Sequence, residues 1–311
     1  MTGAPDQDYC GDTPFRTADV PSPGATVDAS LARRLVAEAV GTGLLILFGP
    51  GSVVAALAVG DGALDYAGLG IIGLSFGLVV ALVIYAFGST SGAHINPAVT
   101  LGLAATRRFP WREVAPYMAA QLVGAVLGGL LVVAAFGTAS VAVSNVGAVT
   151  FGEGVGYPRA ILVEALGTFL LMLAIMGLAV DKRAPAGWAG LMIGLSVTCV
   201  VVVLGPLTGA AINPARAFGP YAASALVGGD VPWSQWPAYI VGPALGALVA
   251  AITYDLLARP REVEAVAEPA QGTQGDIVGR RADGRGRESS SSAGGSGRRR
   301  GKGDLRAQRR G

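Results

Sequence analysis

The sequence predicts an all-α membrane protein with six transmembrane helices and two short re-entrant half-helices, arranged as an inverted repeat. Three observations carry this prediction. Hydrophobic residues make up 52% of the 311 residues and charged residues only 14%, which is far from the composition of a soluble domain. Six apolar runs are each long enough to cross a bilayer. The triplet Asn-Pro-Ala occurs twice, at 96–98 and at 213–215.

Each predicted transmembrane helix corresponds to one apolar run of roughly 20 residues or more. The six runs are about 33–58, 67–88, 114–137, 159–180, 187–206 and 237–257. Two further apolar segments, about 97–106 and 214–226, directly follow the Asn-Pro-Ala triplets. Because they are too short to span a bilayer, we predict that they enter it from opposite faces and end near its centre.

The two halves of the chain repeat one another. AEAVGT at 37–42 matches VEALGT at 163–168, and VGAVLGG matches VGPALGA near the end of each half. GLS and INPA recur between these anchors in the same order. We therefore predict two repeats, 31–137 and 159–258. Because each repeat holds three spans, the second enters the membrane from the opposite side, which gives an inverted repeat.

Charged residues lie mainly outside the predicted membrane core. More than half of the 23 Lys and Arg residues follow position 258, so the small basic excess belongs to a tail and does not indicate a nucleic-acid partner. We predict a disordered leader at 1–30 and a disordered, basic Gly/Ser/Arg-rich tail at 259–311, on either side of a membrane domain at 31–258. A solvated tail is favoured over one that contacts anionic lipid headgroups.

Basic residues near the span ends predict the orientation of the chain. They precede span one, separate spans two and three, separate spans four and five, and follow span six, whereas Arg159 alone marks the other side. The basic loops therefore share one side. Both termini are predicted to be cytoplasmic, in a multi-pass protein of the plasma membrane.

Few side chains are suited to catalysis or to metal binding. His94 is the single histidine, which excludes His-based triads and multi-His metal sites. Cys10 and Cys199 lack the spacing of a metal site or of a disulfide framework. Since no nucleophile–base pair is visible either, the sequence predicts neither an enzyme nor a metal site.

The duplicated triplets consist of Asn96, Pro97, Ala98, Asn213, Pro214 and Ala215. Proline suits the first position of a helix and holds the preceding residue extended, so each triplet is predicted to start a half-helix at its proline. The two helix N-termini then meet near the membrane centre, where their dipoles repel cations and the Asn amides donate hydrogen bonds to a passing oxygen. The alternative is that each Asn only caps its own helix.

The paired segments SGAHINPAVT and INPARAFGP, in register with the other repeated anchors, resemble the aquaporin (major intrinsic protein) family. The resemblance covers about 31–258 and is to the prokaryotic type of channel. It implies an hourglass pore in each subunit, an assembly of four subunits, and passive flow without a cofactor.

The resemblance also implies a selectivity filter that combines an aromatic residue with an arginine. By their distances from the Asn-Pro-Ala triplets, the matching residues are Phe76, Val201, Ala210 and Arg216. Strict water channels usually carry His where this chain has Val201, and similar filters occur in archaeal aquaporins and plant nodulin-like intrinsic proteins. The alternative for Arg216 is a structural ion pair with Glu38 or Glu164.

Three further polar residues lie inside or beside the predicted spans. Glu38 and Glu164 occupy equivalent repeat positions, and the resemblance implies that they accept hydrogen bonds from the backbone of the re-entrant loops. Proton relay is the alternative role for these carboxylates. His94 is expected to pack and hydrogen-bond within its loop, with gating by pH as the alternative. Glycines 124, 128, 129, 242 and 246 indicate close helix packing.

The sequence therefore predicts a passive transmembrane channel for water and small neutral solutes such as glycerol, which excludes ions and protons. The alternatives are a strictly water-selective channel, an ion-coupled secondary transporter, and a structural membrane protein with a closed pore. The predicted partners are water, small neutral solutes, membrane lipid and further copies of the chain. Ala217 and Tyr239 combine features of water and glycerol channels, so the physiological solute stays open.

Overall fold

A computed structural model describes residues 29–258. The leader up to residue 28 and the tail from residue 259 lie outside the described residues, so what is predicted for them stays a prediction. Within the described range the chain is helical and contains no strand. The helices are α1 (Leu31–Val59), α2 (Tyr66–Ser91), α3 (Pro97–Ala105), α4 (Trp111–Phe136), α5 (Ala139–Ser144), α6 (Tyr157–Ile175), α7 (Ala189–Thr208), α8 (Pro214–Leu226) and α9 (Ala238–Leu257).

Six of these helices, α1, α2, α4, α6, α7 and α9, are long and apolar enough to cross a membrane. Each corresponds to one predicted span, and the ends agree to within a helical turn when α6 is taken together with the π-helical turn that continues it to Val180. Helices α2 and α7 run slightly further than predicted because each is ended by a glycine in the left-handed region, Gly92 at φ 88° and Gly209 at φ 75°. Such a glycine is a common helix terminator. The predicted fold class is confirmed.

The two short helices begin where the sequence predicts. Helix α3 starts at Pro97 and helix α8 at Pro214. The asparagine before each proline is extended, with φ −154° and ψ 117° at Asn96 and φ −158° and ψ 113° at Asn213. This is the backbone that a following proline imposes. The α3 segment of nine residues and the α8 segment of 13 residues are both too short to span a bilayer.

The packing follows the internal repeat. Helix α1 packs along α4, and the equivalent α6 packs along α9, while α2 and α7 pack against each other across the two repeats. A β-carbon at Gly124 would overlap the carbonyl oxygen of Ala39, and one at Gly246 would overlap that of Ala165. The predicted glycine contacts are therefore real, because only glycine lets these helix pairs approach so closely.

Three local elements were not expected from the sequence, one of them a single 3-10 turn at Trp233–Gln235. Helix α5 is a short helix after α4, and the last turn of α6 widens into a π-helical turn, Met176–Val180. Single π-helical turns inside α-helices are rare and are frequent at functional sites. This π turn reaches the central cavity described below.

The outer faces of the long helices are hydrophobic. Large apolar side chains that are exposed there include Phe48, Leu82, Leu127, Leu166, Val203 and Val249. A soluble protein rarely exposes so much contiguous apolar surface. The described part of the chain is therefore suited to a hydrocarbon environment, in which helices satisfy their own backbone hydrogen bonds.

Candidate functional site

A cavity of about 420 Å³ lies between the helices. Arg216 lines it at one end and Arg108 at the other, and Asn96 and Asn213 line its middle; we refer to the Arg216 end and the Arg108 end. Most of the remaining wall is hydrocarbon, contributed by residues that include Leu45, Val80, Val99, Leu171, Ile193 and Val197. The cavity is therefore a path whose wall is apolar apart from a few isolated polar groups.

The two Asn-Pro-Ala boxes meet in the middle of the cavity. The Asn96 amide nitrogen donates to the carbonyl of Ile212 at 2.9 Å, and the Asn213 amide nitrogen donates to the carbonyl of Ile95 at 2.8 Å. Each side-chain oxygen also caps its own helix by accepting from a backbone N–H. Capping is therefore only half of what each Asn does. An amide nitrogen carries two N–H groups, so each retains one donor beside the cavity.

Glu38 holds the first re-entrant loop in place. Its carboxylate is fully buried and accepts from the backbone N–H of His94 at 2.9 Å and of Ile95 at 2.7 Å. The hydroxyl of Ser91 and the amide of Gln121 donate to it at 2.7 and 2.8 Å. Four donors on two oxygens explain how a charge is tolerated at this depth.

Glu164 holds the second loop in the equivalent way. It is also fully buried and accepts from the backbone N–H of Ala211 at 3.0 Å and of Ile212 at 2.6 Å, and from the hydroxyl of Thr208 at 2.6 Å. The internal repeat of the sequence thus extends to the buried hydrogen bonds.

Both loops contain residues in unfavourable backbone conformations. Ala93, Ile95, Ala210 and Ile212 all have φ between 42° and 46°, a region that β-branched residues such as Ile avoid. Each such residue costs on the order of 1–3 kcal/mol. The buried glutamates stabilise these loops, and in return Ile95 and Ile212 present carbonyl oxygens to the opposite Asn.

Arg216 follows the second box and is buried, with 4% of its surface exposed. One terminal nitrogen donates to the carbonyl of Gly147 at 3.0 Å, and the guanidinium carbon lies 5.0 Å from the centre of the Phe76 ring. Within residues 29–258 it forms no ion pair with Glu38 or Glu164. Its Nε is buried and has no hydrogen-bond partner among the described residues. Because a guanidinium has five N–H groups and the carbonyl of Gly147 accepts from only one terminal nitrogen, the terminal nitrogens retain donors for a solute.

The other predicted filter residues divide into two groups. Phe76 and Ala210 line the cavity together with Arg216, and the Phe76 ring occupies space left by the missing side chain of Gly49. Val201 is buried between α7 and α2, and among the described residues it is not one of those that line the cavity. It lies one helical turn after Val197, which does.

His94 lies in the first loop, where its ring also lines the cavity. The ring Nδ1 is 3.1 Å from the hydroxyl of Thr100. The ring packs edge-on against Phe109 and at a tilt against Tyr117. These contacts fix the orientation of the imidazole.

Sequence reasoning missed several residues that build the site. Ser91 and Thr208 could have been found, because a hydroxyl residue precedes Gly-Ala in both copies of the repeat. The Gln121 amide donates to both Glu38 and Thr100, and no sequence pattern indicates these contacts. The carbonyl of Gly147 that holds Arg216 carries no sequence signal. In the described part of the chain, no group of three or more His, Cys, Asp or Glu residues is placed to bind a metal.

Mercurial reagents should leave water flow unaffected. Cys199 is exposed on the outside of α7 and stands two residues from Val197, which lines the cavity. Two residues on a helix are about 200° apart around the axis. A mercury adduct at this thiol therefore stays outside the cavity. Stopped-flow shrinkage of proteoliposomes before and after treatment measures the effect; strong inhibition that disappears in Cys199→Ser would contradict the position given to this thiol.

The chain matches a known protein family and is similar to known proteins. The family model described as major intrinsic protein matches residues 25–254. The chain is 49% identical to the probable aquaporin AqpM of Archaeoglobus fulgidus, over 74% of this chain and 98% of the relative. It is 38% identical to aquaporin NIP1-1 of Oryza sativa subsp. japonica, over 77% of this chain and 79% of the relative.

Among solved structures, the fold is similar to that of the aquaglyceroporin from Plasmodium falciparum. The TM-score is 0.66 at 26% identity, and the match covers 73% of this chain and 97% of that one. The match thus includes nearly the whole of the solved chain.

Proposed function

Because this chain belongs to the major intrinsic protein family, whose members are membrane channels and not enzymes, we propose that it conducts water and small neutral solutes such as glycerol and excludes ions and protons. One observation carries the proposal. Asn96, Asn213 and Arg216 present hydrogen-bond donors along a single cavity whose remaining wall is largely hydrocarbon. Isolated donors in a largely apolar wall favour a molecule that offers an oxygen and carries no charge.

Ion exclusion follows from the same groups. Arg216 is a buried cation that has no ion-pair partner among the described residues, and the N-termini of α3 and α8 point at the middle of the cavity. Positive charge and positive dipole ends both repel a cation or a hydronium ion. An anion is opposed by the hydrocarbon wall, which cannot replace its hydration shell.

Glycerol passage rests on the small residues near Arg216. Ala210 lines the cavity and Val201 lies in the wall next to its lining, so no histidine narrows this region and one side of a solute can contact hydrocarbon while Arg216 holds its oxygens. The names of the compared proteins, which include an aquaglyceroporin, agree with this solute range. Phe76 keeps the opening modest, so glycerol should pass more slowly than water.

The strictly water-selective alternative differs from this proposal only in the width of the filter. The coupled-transporter alternative needs carboxylates that can bind and release protons. Glu38 and Glu164 are instead occupied by loop N–H groups and hydroxyls. Their structural support of the two loops is accordingly part of the proposal, together with the packing role of His94.

The assembly and its placement are also proposed. We place the channel in the plasma membrane with both termini in the cytoplasm, because the basic residues near the span ends favour one side. A homotetramer with one pore in each subunit is the assembly that the family resemblance implies. Cross-linking in native membranes and protease protection of the tail would test these two points.

Replacing Val201 by histidine should reduce glycerol flux several-fold and leave water flux within about twofold, since the larger imidazole would extend from the wall toward the cavity and add one hydrogen-bonding group there. The measurement is parallel glycerol uptake and osmotic shrinkage of proteoliposomes. Val201→Leu is the matched control, because it adds bulk without polarity. Wild-type protein with no glycerol flux above empty liposomes would overturn the wider filter and leave a water-only channel.

A further inference from the structure

The Arg108 end of the cavity has its own guanidinium group. The side chain of Arg108 lines the cavity and is only 19% exposed. It follows helix α3, whose nine residues separate it from Asn96 by about 13 Å at 1.5 Å per residue. The path therefore carries polar groups at three levels: Arg216, the asparagine pair and Arg108.

The position of Arg108 is fixed through its backbone and its side chain. Arg107 adopts φ 62°, and the N–H of Arg108 donates to the carbonyl of Leu103 at 2.7 Å, which closes the end of α3. The guanidinium donates to both oxygens of Asp255 on α9, at 3.0 and 2.5 Å, and to the carbonyl of Thr106 at 3.3 Å. Two parallel bonds to a carboxylate hold a guanidinium in one orientation.

The opposite wall of the Arg108 end, which is the π turn of α6, is held by the residue that precedes Asp255 on α9. Ala179 and Val180, in the π turn of α6, line the cavity near Arg108. Asp181, directly after them, accepts from the hydroxyl of Tyr254 at 2.5 Å. The Arg183 guanidinium, and then the Tyr254 hydroxyl, hold the pKa of the Asp181 carboxyl well below its usual range. This contact therefore stays charged at neutral pH, and both walls of the Arg108 end depend on Tyr254 and Asp255.

Arg108 retains donors for a solute. A guanidinium has five N–H groups, and three of them are used by Asp255 and Thr106 within the described residues. Nearby lining residues such as Leu103, Ile175 and Val180 are hydrocarbon. Because Asp255 balances the charge of Arg108, the pair offers hydrogen bonds to a hydroxyl without the net charge that would attract an anion.

We propose that Arg108 is a second specificity-determining residue of the channel, which donates hydrogen bonds to the hydroxyl groups of a polyol at this end, and that Asp255 is its positioning residue. This inference rests on the proposed passage of glycerol. A water molecule that enters the cavity keeps hydrogen bonds to neighbouring water molecules. The carbon chain of a polyol displaces those water molecules, so the polyol hydroxyl groups depend on hydrogen-bond donors in the wall. Loss of Arg108 therefore affects the polyol more than water.

The test compares glycerol uptake and osmotic water flux in proteoliposomes made with the full chain. The double variant Arg108→Met, Asp255→Leu removes the donors without leaving a charge unpaired. Arg108→Gln is a second variant, which keeps a donor and provides the test if the double variant does not fold. Arg112→Met removes a charge close in sequence from a residue that is 86% exposed and lies outside the described lining of the cavity, so it controls for charge alone.

We expect glycerol flux in the double variant to fall about fivefold, the value of one net hydrogen bond, with water flux within about twofold and Arg112→Met equal to wild type. Arg108→Gln should retain an intermediate glycerol flux. Equal losses of water and glycerol flux in the double variant, or an unchanged glycerol flux, would overturn this inference. The proposed function would still stand if the wild-type protein conducts glycerol. Absence of glycerol flux in the wild type would overturn both.

Discussion

Glu164→Ala should abolish water permeability and destabilise the fold. The substitution leaves the N–H groups of Ala211 and Ile212 and the hydroxyl of Thr208 buried without their acceptor. Each unsatisfied buried donor costs about 1–3 kcal/mol. The loop also loses what holds Ala210 and Ile212 in the left-handed region. Thermal unfolding in detergent and stopped-flow shrinkage of proteoliposomes measure the two effects.

The conservative variant separates this cause from a general effect of mutation. Glu164→Gln keeps one acceptor oxygen and should retain part of both stability and water flux. Glu38→Ala, the equivalent change in the first repeat, should resemble Glu164→Ala because Glu38 also accepts two loop N–H groups. Wild-type stability and water flux in Glu164→Ala would show that the loop does not depend on the carboxylate.

The second large effect is expected for Asn213→Asp. The new carboxylate faces the carbonyl oxygen of Ile95, to which the amide now donates at 2.8 Å, so an attraction becomes a repulsion. A negative charge also appears where the N-termini of α3 and α8 meet and where cations are otherwise repelled. Water flux should fall several-fold, and a cation leak should appear. Stopped-flow scattering and a cation-sensitive dye inside the vesicles measure these outcomes.

The internal repeat provides the control for this variant. Asn96 donates to Ile212 in the same geometry, so Asn96→Asp should have the same two consequences. Asn213→Ala removes the donor without adding a charge and should reduce water flux without the leak. Well-folded Asn213→Asp protein with wild-type water flux and no leak would contradict the position given to the two asparagines.

Much of the fold could be predicted because its rules are local. Span length follows from the apolar runs, and the starts of α3 and α8 follow from the conformations that Pro97 and Pro214 allow. The glycines at the α1–α4 and α6–α9 contacts were predictable because close packing in membranes selects small residues. The repeat then related one half to the other.

The remaining features depend on contacts between distant segments. No sequence pattern indicates that Gly147 supplies the carbonyl that holds Arg216, or that each Asn donates across to the opposite loop. The left-handed conformation of Ile95 and Ile212 opposes their local preference and persists because buried glutamates enforce it. The spacing that selected Val201 places it one turn after Val197, which lines the cavity, but the Val201 side chain lies in the wall next to the described cavity lining.

The asymmetry between the repeats was also beyond sequence reasoning. His94 and Gln121 form a polar cluster with Thr100 around the first box, whereas Ala211 and Tyr239 stand at the repeat-equivalent positions of His94 and Gln121. The Tyr239 hydroxyl donates to the carbonyl of Thr208 in the second repeat, whereas Tyr117, at a different position along its helix, donates to the equivalent carbonyl of Ser91 in the first. Two loops of equal backbone shape are thus supported by different side chains.

The central claim is that the cavity through the two Asn-Pro-Ala boxes carries water passively. The most direct test is the osmotic shrinkage of proteoliposomes that contain the full chain, followed by stopped-flow light scattering at several temperatures and with and without ion gradients. We expect shrinkage well above that of empty liposomes, with a weak temperature dependence and no effect of the gradients. A rate equal to that of empty liposomes, with folded protein verified in the vesicles, or a rate that requires an ion gradient, would contradict the account.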